Sequence, residues 1–391
     1  MTPTRPILLV AITACICCLP WLETLADPPG TVIDHIPAST GRYVGSPSIA
    51  ELPDGTLVAS HDEFGPKSNE HKCATTRVFR STDRGETWKR IASIEGQFWS
   101  QLFWHRDNLY LIGTWAHHGN LIIRRSSDQG ATWTSPDDAA TGLLAEGEYH
   151  CSPQPLVVHE GRIWRAIEDA GGGSRWGERY RPFVMSAPLD ADLLDRESWT
   201  FSNYLPVNKE WLQGDMRGWL EGNLVVAPNG KLVNMLRVAG GNSVVGKAAM
   251  VTVSDDGTRV AFDPETGFVD LPGGSKKFTI RFDAETNRYW SLVNEVPTEL
   301  AGTRSASSIR NRLALVSSPD LKEWTTEQLV IDDDDLTHGY QYVDWIFDGD
   351  DLLAVVRTAT DDGQGGAHNY HDANYLTLHR IKDFRKPQPP R

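Results

Sequence analysis

The sequence predicts an all-β fold, a closed β-propeller of four-stranded blades, on two observations: an eight-residue phrase that occurs twice and a hairpin pattern that occurs six times. Residues 81–88 read STDRGETW and residues 126–133 read SSDQGATW, the same Ser-x-Asp-x-Gly-x-Thr-Trp placed 45 residues apart. Each copy follows a strand-like run (TTRVFR, NLIIRR) and opens another. The phrase is a turn device. Asp83 and Asp128 can accept from turn N–H groups, Gly85 and Gly130 supply a permissive backbone, and Trp88 and Trp133 are expected to be buried between sheets. Weaker echoes stand at Ser254-Asp255-Asp256-Gly257 and at Ser318-Pro319-Asp320 before Trp324.

The hairpins are SIAELPDGTLVAS, LFWHRDNLYLIGT, LVVHEGRIWRAIE, LVVAPNGKLVNMLRV, TIRFDAETNRYWSLV and VDWIFDGDDLLAVVR, each two apolar strands around a polar turn. Their spacing suits one four-stranded blade apiece, so six blades are counted; a seventh would have to lie in 200–219 or near the ends. After YLTLHRI no fourth strand follows in the last blade. TVIDHIPA at 31–38 is expected to supply it and close the ring, which leaves no exposed sheet edge. No linker is visible, so residues 27–391 read as one domain.

Residues 1–26 read as a removable leader. Arg5 precedes an apolar run too short and too Pro-broken for a membrane span, and small residues at Thr24 and Ala26 favour cleavage before Asp27. The body is therefore expected to be secreted or periplasmic, with lipoprotein anchoring at Cys15 as the rival. Cleavage would leave Cys73 and Cys151, either paired or inert, with a thiolate metal ligand at Cys151 beside His150 ranked below both. A net charge of −14 excludes a nucleic-acid footprint, and the run from Asp332 to Asp335 reads as a solvated loop. Oligomeric state is not legible.

In a propeller, the loops entering each first strand and those leaving each second strand meet at one mouth of the channel. Those positions hold His61, Asp62, His117, His118, Tyr149, His150, Arg165, Glu168, Asp169, Glu221, Asn223, Arg237, Lys276, Lys277, Asn294, His338, Gln341, Asp344, Arg357, His368, His371 and Asp372. From this set His150, Glu168, Arg237, Lys276, Gln341, Asp344, Arg357 and His371 are expected to bind substrate. Arg165, Arg237 and Arg357 fall late in the second strands of three blades, where an anion would have to separate them. The ligand is thus expected to be acidic. His368, His371 and Asp372 have a spacing a metal could use, but a hydrogen-bonded loop is the favoured reading. No cofactor is required, and a structural metal ion is compatible. No GxSxG elbow or HExxH helix occurs.

The repeated phrase resembles the Asp-box of sialidase-like propellers. GSPSIAELPDGTLVASHDEFG, YHCSPQPLVVHEGRIWRAIED, WLEGNLVVAPNGKLVNMLRV, GGSKKFTIRFD and GGAHNYHDANYLTLHRI look like a group that cleaves rhamnose linked to glucuronic acid, as hydrolases or lyases, with ulvan lyases more distant. That resemblance covers nearly all the chain after residue 40, and it implies that the acidic substrate is a poly- or oligosaccharide. It implies His61 as the catalytic histidine, with Tyr149 and Arg165 sharing proton transfer and carboxylate neutralisation. It also implies seven blades, against the six counted. Exo-sialidase is the alternative, although Val44-Gly45-Ser46-Pro47 stands where sialidases carry their first arginine. A non-catalytic glycan-binding propeller is the third reading.

Overall fold

Six antiparallel sheets surround a central channel, and five of them take their strands in chain order from the channel outward. The computed structural model describes Met1 and residues 27–241 and 244–386. The leader at 1–26, Met1 apart, with Cys15 and the Ala26 cleavage point, lies outside the described residues. Blade one runs Tyr43–Glu51, Leu57–Phe64, Thr75–Ser81 and Lys89–Glu95. Blade two begins at Phe98–His105 and blade four at Met216–Val226, while blade five begins at Thr279–Asp283. Blade six has Gly339–Asp348, Asp351–Ala359 and Tyr375–Ile381, and Thr31–His35 completes it as the outermost strand. The N-terminal strand therefore closes the ring, in the register Thr31 opposite Leu378.

Blade three departs from the pattern. Its inner strand is split into Tyr149–His150 and Val157–His159, both paired with Arg162–Asp169. Proline at 153 and 155 explains the break, since neither can donate to the ladder.

The core is six wedges, one between each pair of neighbouring blades. Leu57, Ala59 and Phe79 of blade one meet Leu353, Val355 and Leu376 of blade six, for example. Across the ring, Phe278, Ile280 and Val316 of blade five meet Val233 and Met235 of blade four. Truncating one such side chain to alanine costs about 2–5 kcal/mol, because the flat sheets cannot collapse into the gap.

Both Asp-boxes form as hydrogen-bonded knots. Ser81 Oγ takes the Gly85 N–H at 2.9 Å, Asp83 takes the Thr87 N–H at 3.0 Å, and Trp88 Nε1 donates to the Gly85 carbonyl at 3.1 Å. Residues 126–133 repeat every one of these bonds. Trp88 and Trp133 are only half-buried, a correction to the expected full burial: one face packs on the wedge beside it while the other stays in water. The echo at Ser318 is a box one residue short. Leu321 occupies the glycine position with φ 69°, and Trp324 donates to its carbonyl at 3.0 Å.

One feature of the inner strands prepares the site. Four of them carry a register shift near the same end, between Val44 and Pro47, Phe98 and Gln101, Leu220 and Asn223, and Gln341 and Asp344. Each is a β-bulge, which breaks the alternation and re-aims a side chain. Trp99, Glu221 and Tyr342 occupy three of these bulges with φ of 48°, 60° and 55°. Left-handed backbone at bulky residues is strained, and it recurs at functional sites.

Candidate active site

The four bulges open onto one cavity of about 170 Å³, lined among others by Ser46, Asp62, Trp99, His150, Glu221, Tyr342, Arg357 and His371. These residues begin inner strands or end second strands, so the cavity sits at the channel mouth away from the hairpin turns and Asp-boxes. A larger open groove of about 760 Å³ lies at the turn end, lined by Val226, Phe282, Tyr289 and Phe347. Its one charged lining residue, Arg281, is paired with Asp344 at 3.2 Å, so volume alone does not locate chemistry.

At the centre of the smaller cavity stands Tyr342. Arg310 and Arg357 lie over its ring at 5.4 and 4.9 Å, and its hydroxyl interacts with Arg237 as well. Arg237 is ion-paired to Glu221 at 2.9 Å and braced by the Ser275 carbonyl at 2.9 Å. Burial opposes a charge on Glu221, but Arg237 beside it holds the carboxyl below its usual range, so it stays ionised. Arg310 is fixed by the Ser307 carbonyl and by Gln341, and Arg357 by the His371 carbonyl. Neither Arg310 nor Arg357 has a carboxylate within ion-pair distance among the described residues, and Arg357 Nε is buried without a partner. Burial holds the Arg357 guanidinium down to about 10, still charged at neutral pH.

Across the cavity Asp62 is buried and its carboxyl is pushed up to about 6 by that burial. The Ser46 N–H reaches its Oδ2 at 3.3 Å. Gly45 is required beside it, because a Cβ there would come within 2.4 Å of the same oxygen. His150 is held by Glu168 at 3.1 Å and packs edge-on to Trp99, with Tyr180 and Trp176 completing an aromatic wall. Glu168 also takes the Gly222 N–H at 2.9 Å, and Gln154 donates to the Glu221 carbonyl at 3.0 Å, so both pin the bulge that presents Glu221.

The structure thus brings together Arg237, Arg357, His150 and His371 from the expected binding set, with Glu168 and Gln341 behind them. It sends the others elsewhere. His61 is fully buried, bonded to Asp34 at 2.9 Å and stacked on Phe79, because alternation gives Asp62 the channel side. Tyr149 packs in the wedge between blades two and three, where burial pushes its phenol up, away from any role as a base. Arg165 donates to the carbonyls of Ser152 and Gln154, both at 2.6 Å; the break in blade three turns those carbonyls toward it. Its expected place in an arginine cluster is taken by Arg310, on a loop with no repeat to mark it.

Asp344 and Lys276 are also structural. Asp344 receives Ser48, Gln101 and Arg281 at 3.1–3.2 Å, knitting blades one, two, five and six across the channel. Lys276 donates to the Ala306 carbonyl at 3.0 Å. Cys73 and Cys151 are both free thiols, and burial pushes Cys151 up to about 12. His368 and His371 each bond Asp372 at 2.8 Å in a hydrogen-bonded loop.

No protein-family profile matches the chain. A sialidase of Paraclostridium sordellii is 22% identical over 293 residues, 65% of this chain and 67% of that one. An α-L-arabinanase of Penicillium chrysogenum, solved with arabinobiose, superposes with a TM-score of 0.57 at 14% identity, over 92% of this chain and 99% of its own. The sialidase of Trypanosoma rangeli, solved with sialic acid, gives 0.54 at 15% identity, over 92% of this chain and 58% of that one. Blade count, topology and these likenesses define the class: the chain is a six-bladed, all-β propeller with the fold that sialidases and α-L-arabinanases share. Six blades, not the seven that the rhamnose–glucuronate resemblance implied, make the ring.

Proposed function

We propose that this propeller is a retaining exo-glycosidase that releases a terminal sugar bearing a carboxylate at or next to the anomeric carbon, a sialic-acid-type substrate. The named relatives are glycosidases and bind oligosaccharides or sialic acid, which supports the coarser reading of a carbohydrate-active enzyme. The observation that carries the finer one is the pair Arg310 and Arg357, buried guanidiniums that face Tyr342 with no carboxylate in ion-pair reach among the described residues. A planar anion would satisfy both.

Roles follow from chemistry. Tyr342 Oη attacks the anomeric carbon, and the Glu221 carboxylate accepts the phenol proton. A neutral nucleophile suits a substrate whose own carboxylate would repel an ionised one. Asp62, kept protonated up to about pH 6 by its burial, donates to the departing glycosidic oxygen, then draws the proton from the water that releases the sugar. Trp99, Trp176 and Tyr180 offer apolar faces to the sugar and exclude water. The rhamnose–glucuronate lyase reading has less support, because His61 and Tyr149, the residues the resemblance assigns to proton transfer, do not line the cavity. We propose further that the chain works outside the cytoplasm, in keeping with its leader-like first 26 residues.

The test is incubation with an α-sialoside, arabinan, and a rhamnosylated glucuronate glycan, followed by product mass. Release of the free acidic sugar with one water added is expected. Cleavage of arabinan alone, or an unsaturated product, would overturn the proposal.

A further inference from the structure

Four imidazoles gather at the rim of the cavity: His71 stacks on His117 at 4.8 Å, His117 touches His118 at 4.5 Å, and His118 lies 6.1 Å from His150. The catalytic scheme uses none of His71, His117 and His118, and Glu70 stands among them. We propose that Glu70, His71 and His117 form a divalent-metal site of the zinc class, joining the loop at 65–74 of blade one to the loop at 115–120 of blade two.

Three observations carry it. Glu70 Oε1 lies 3.1 Å from His71 Nε2 and 3.4 Å from His117 Nδ1, and all three donor atoms fall within 4.8 Å of one another. Bonds of about 2.0–2.1 Å to a tetrahedral zinc ion imply donor separations of roughly 3.4 Å, close to the two shorter distances. The side chains are also held for the task. Glu70 Oε2 is occupied by the Gly65 N–H at 2.8 Å and Ser68 Oγ at 3.3 Å, which leaves Oε1 free to ligate. His117 donates its backbone N–H to the Glu70 carbonyl at 2.6 Å, locking the two loops together. Finally, His117 Nδ1 is buried and, beyond its 3.4 Å approach to Glu70 Oε1, has no hydrogen-bond partner among the described residues. A buried imidazole nitrogen without a partner is costly unless something ligates it.

Two imidazoles and one carboxylate suit zinc or a neighbouring borderline dication, not calcium or magnesium, which prefer all-oxygen sets. Three protein ligands leave the fourth tetrahedral position open. His71 is exposed and can swing inward by the remaining ångström or so to complete the triangle.

Calorimetric titration of the tag-free full chain, stripped with chelator, uses zinc alone and cobalt(II) as a spectroscopic probe. One equivalent of zinc should bind, with a tetrahedral cobalt visible spectrum and a raised Tm. Both His71→Ala and Glu70→Gln should weaken binding by at least ~10-fold while circular dichroism stays unchanged. Wild-type protein that takes up no zinc, or variants that bind it as wild type does, would overturn the site. Neither outcome depends on glycosidase activity.

Discussion

Arg237 donates to Glu221 across 2.9 Å, with both side chains almost wholly buried, while Arg310 and Arg357 in the same cluster have no carboxylate within ion-pair distance among the described residues. The closed pair is not available to a ligand: removing one partner would strand the other charge at a cost of about 3–5 kcal/mol. Anion recognition therefore falls to the other two, and Arg237 instead keeps Glu221 ionised next to the Tyr342 phenol.

Replacing Arg310 or Arg357 by methionine should accordingly act on substrate recognition. Each charge-assisted hydrogen bond is worth about 1.5–3 kcal/mol, so kcat/KM on an acidic glycoside should fall roughly 10–100-fold. The same glycoside with its carboxylate reduced or amidated should lose far less. Equal losses on both substrates would mean that the arginines only hold the cavity open.

Tyr342→Phe removes one oxygen and leaves the ring between its arginines. Turnover should drop by at least ~10²-fold with substrate binding largely intact, because the missing contact is made in the bond-making step. Wild-type kcat in this variant would rule out a covalent role for the phenol.

Much of the fold was legible because its signals are local. The Asp-boxes, the hairpin turns and the strand at 31–35 that closes the ring each sit within about a dozen residues of sequence. The site was half legible. Arg237 and Arg357 lie late in second strands, where alternation holds; Arg357 lines the cavity, and Arg237 stands behind it, paired to Glu221. Tyr342 escaped because it sits on a bulge: Tyr342 and Val343 together stand between the paired Gln341 and Asp344, so alternation does not carry through this stretch and cannot assign its faces. The same device presents Glu221, whose position at the mouth was seen but not its role. His61 was favoured over Asp62 by family likeness, whereas the strand's pleat gives the channel side to Asp62. No local pattern marks a bulge, so these assignments needed the register.

Asp344 separates structure from recognition most directly. It ties four blades and pairs with Arg281 in the channel, so Asp344→Asn should strand a guanidinium and lower stability by about 3–5 kcal/mol. Thermal or denaturant unfolding would show this, while KM of whatever folded protein remains should match wild type. A raised KM at unchanged Tm would return Asp344 to the binding set.

The pH profile tests Asp62. Its folded-state carboxyl is pushed up to about 6 from an ordinary 3.8, so it is protonated and able to donate at pH 5 and loses that proton above 6. Glu221, held below its usual range, is ionised across this window. On poor leaving groups kcat/KM should therefore be high near pH 5 and fall through pH 6, as expected when the acid must be protonated and the base ionised. Stability carries the same sign. Between pH 4 and 6 the folded chain holds a proton on Asp62 that the unfolded chain has released, so this contribution is complete below pH 4 and is lost as pH rises through 6. The shift corresponds to about 3 kcal/mol at most. Asp62→Asn should flatten that slope, and it should spare activated aryl glycosides, whose departure needs no proton, while abolishing turnover of natural ones. A wild-type rate independent of pH from 5 to 8, or an Asp62→Asn variant equally impaired on both leaving groups, would show that the proton comes from elsewhere.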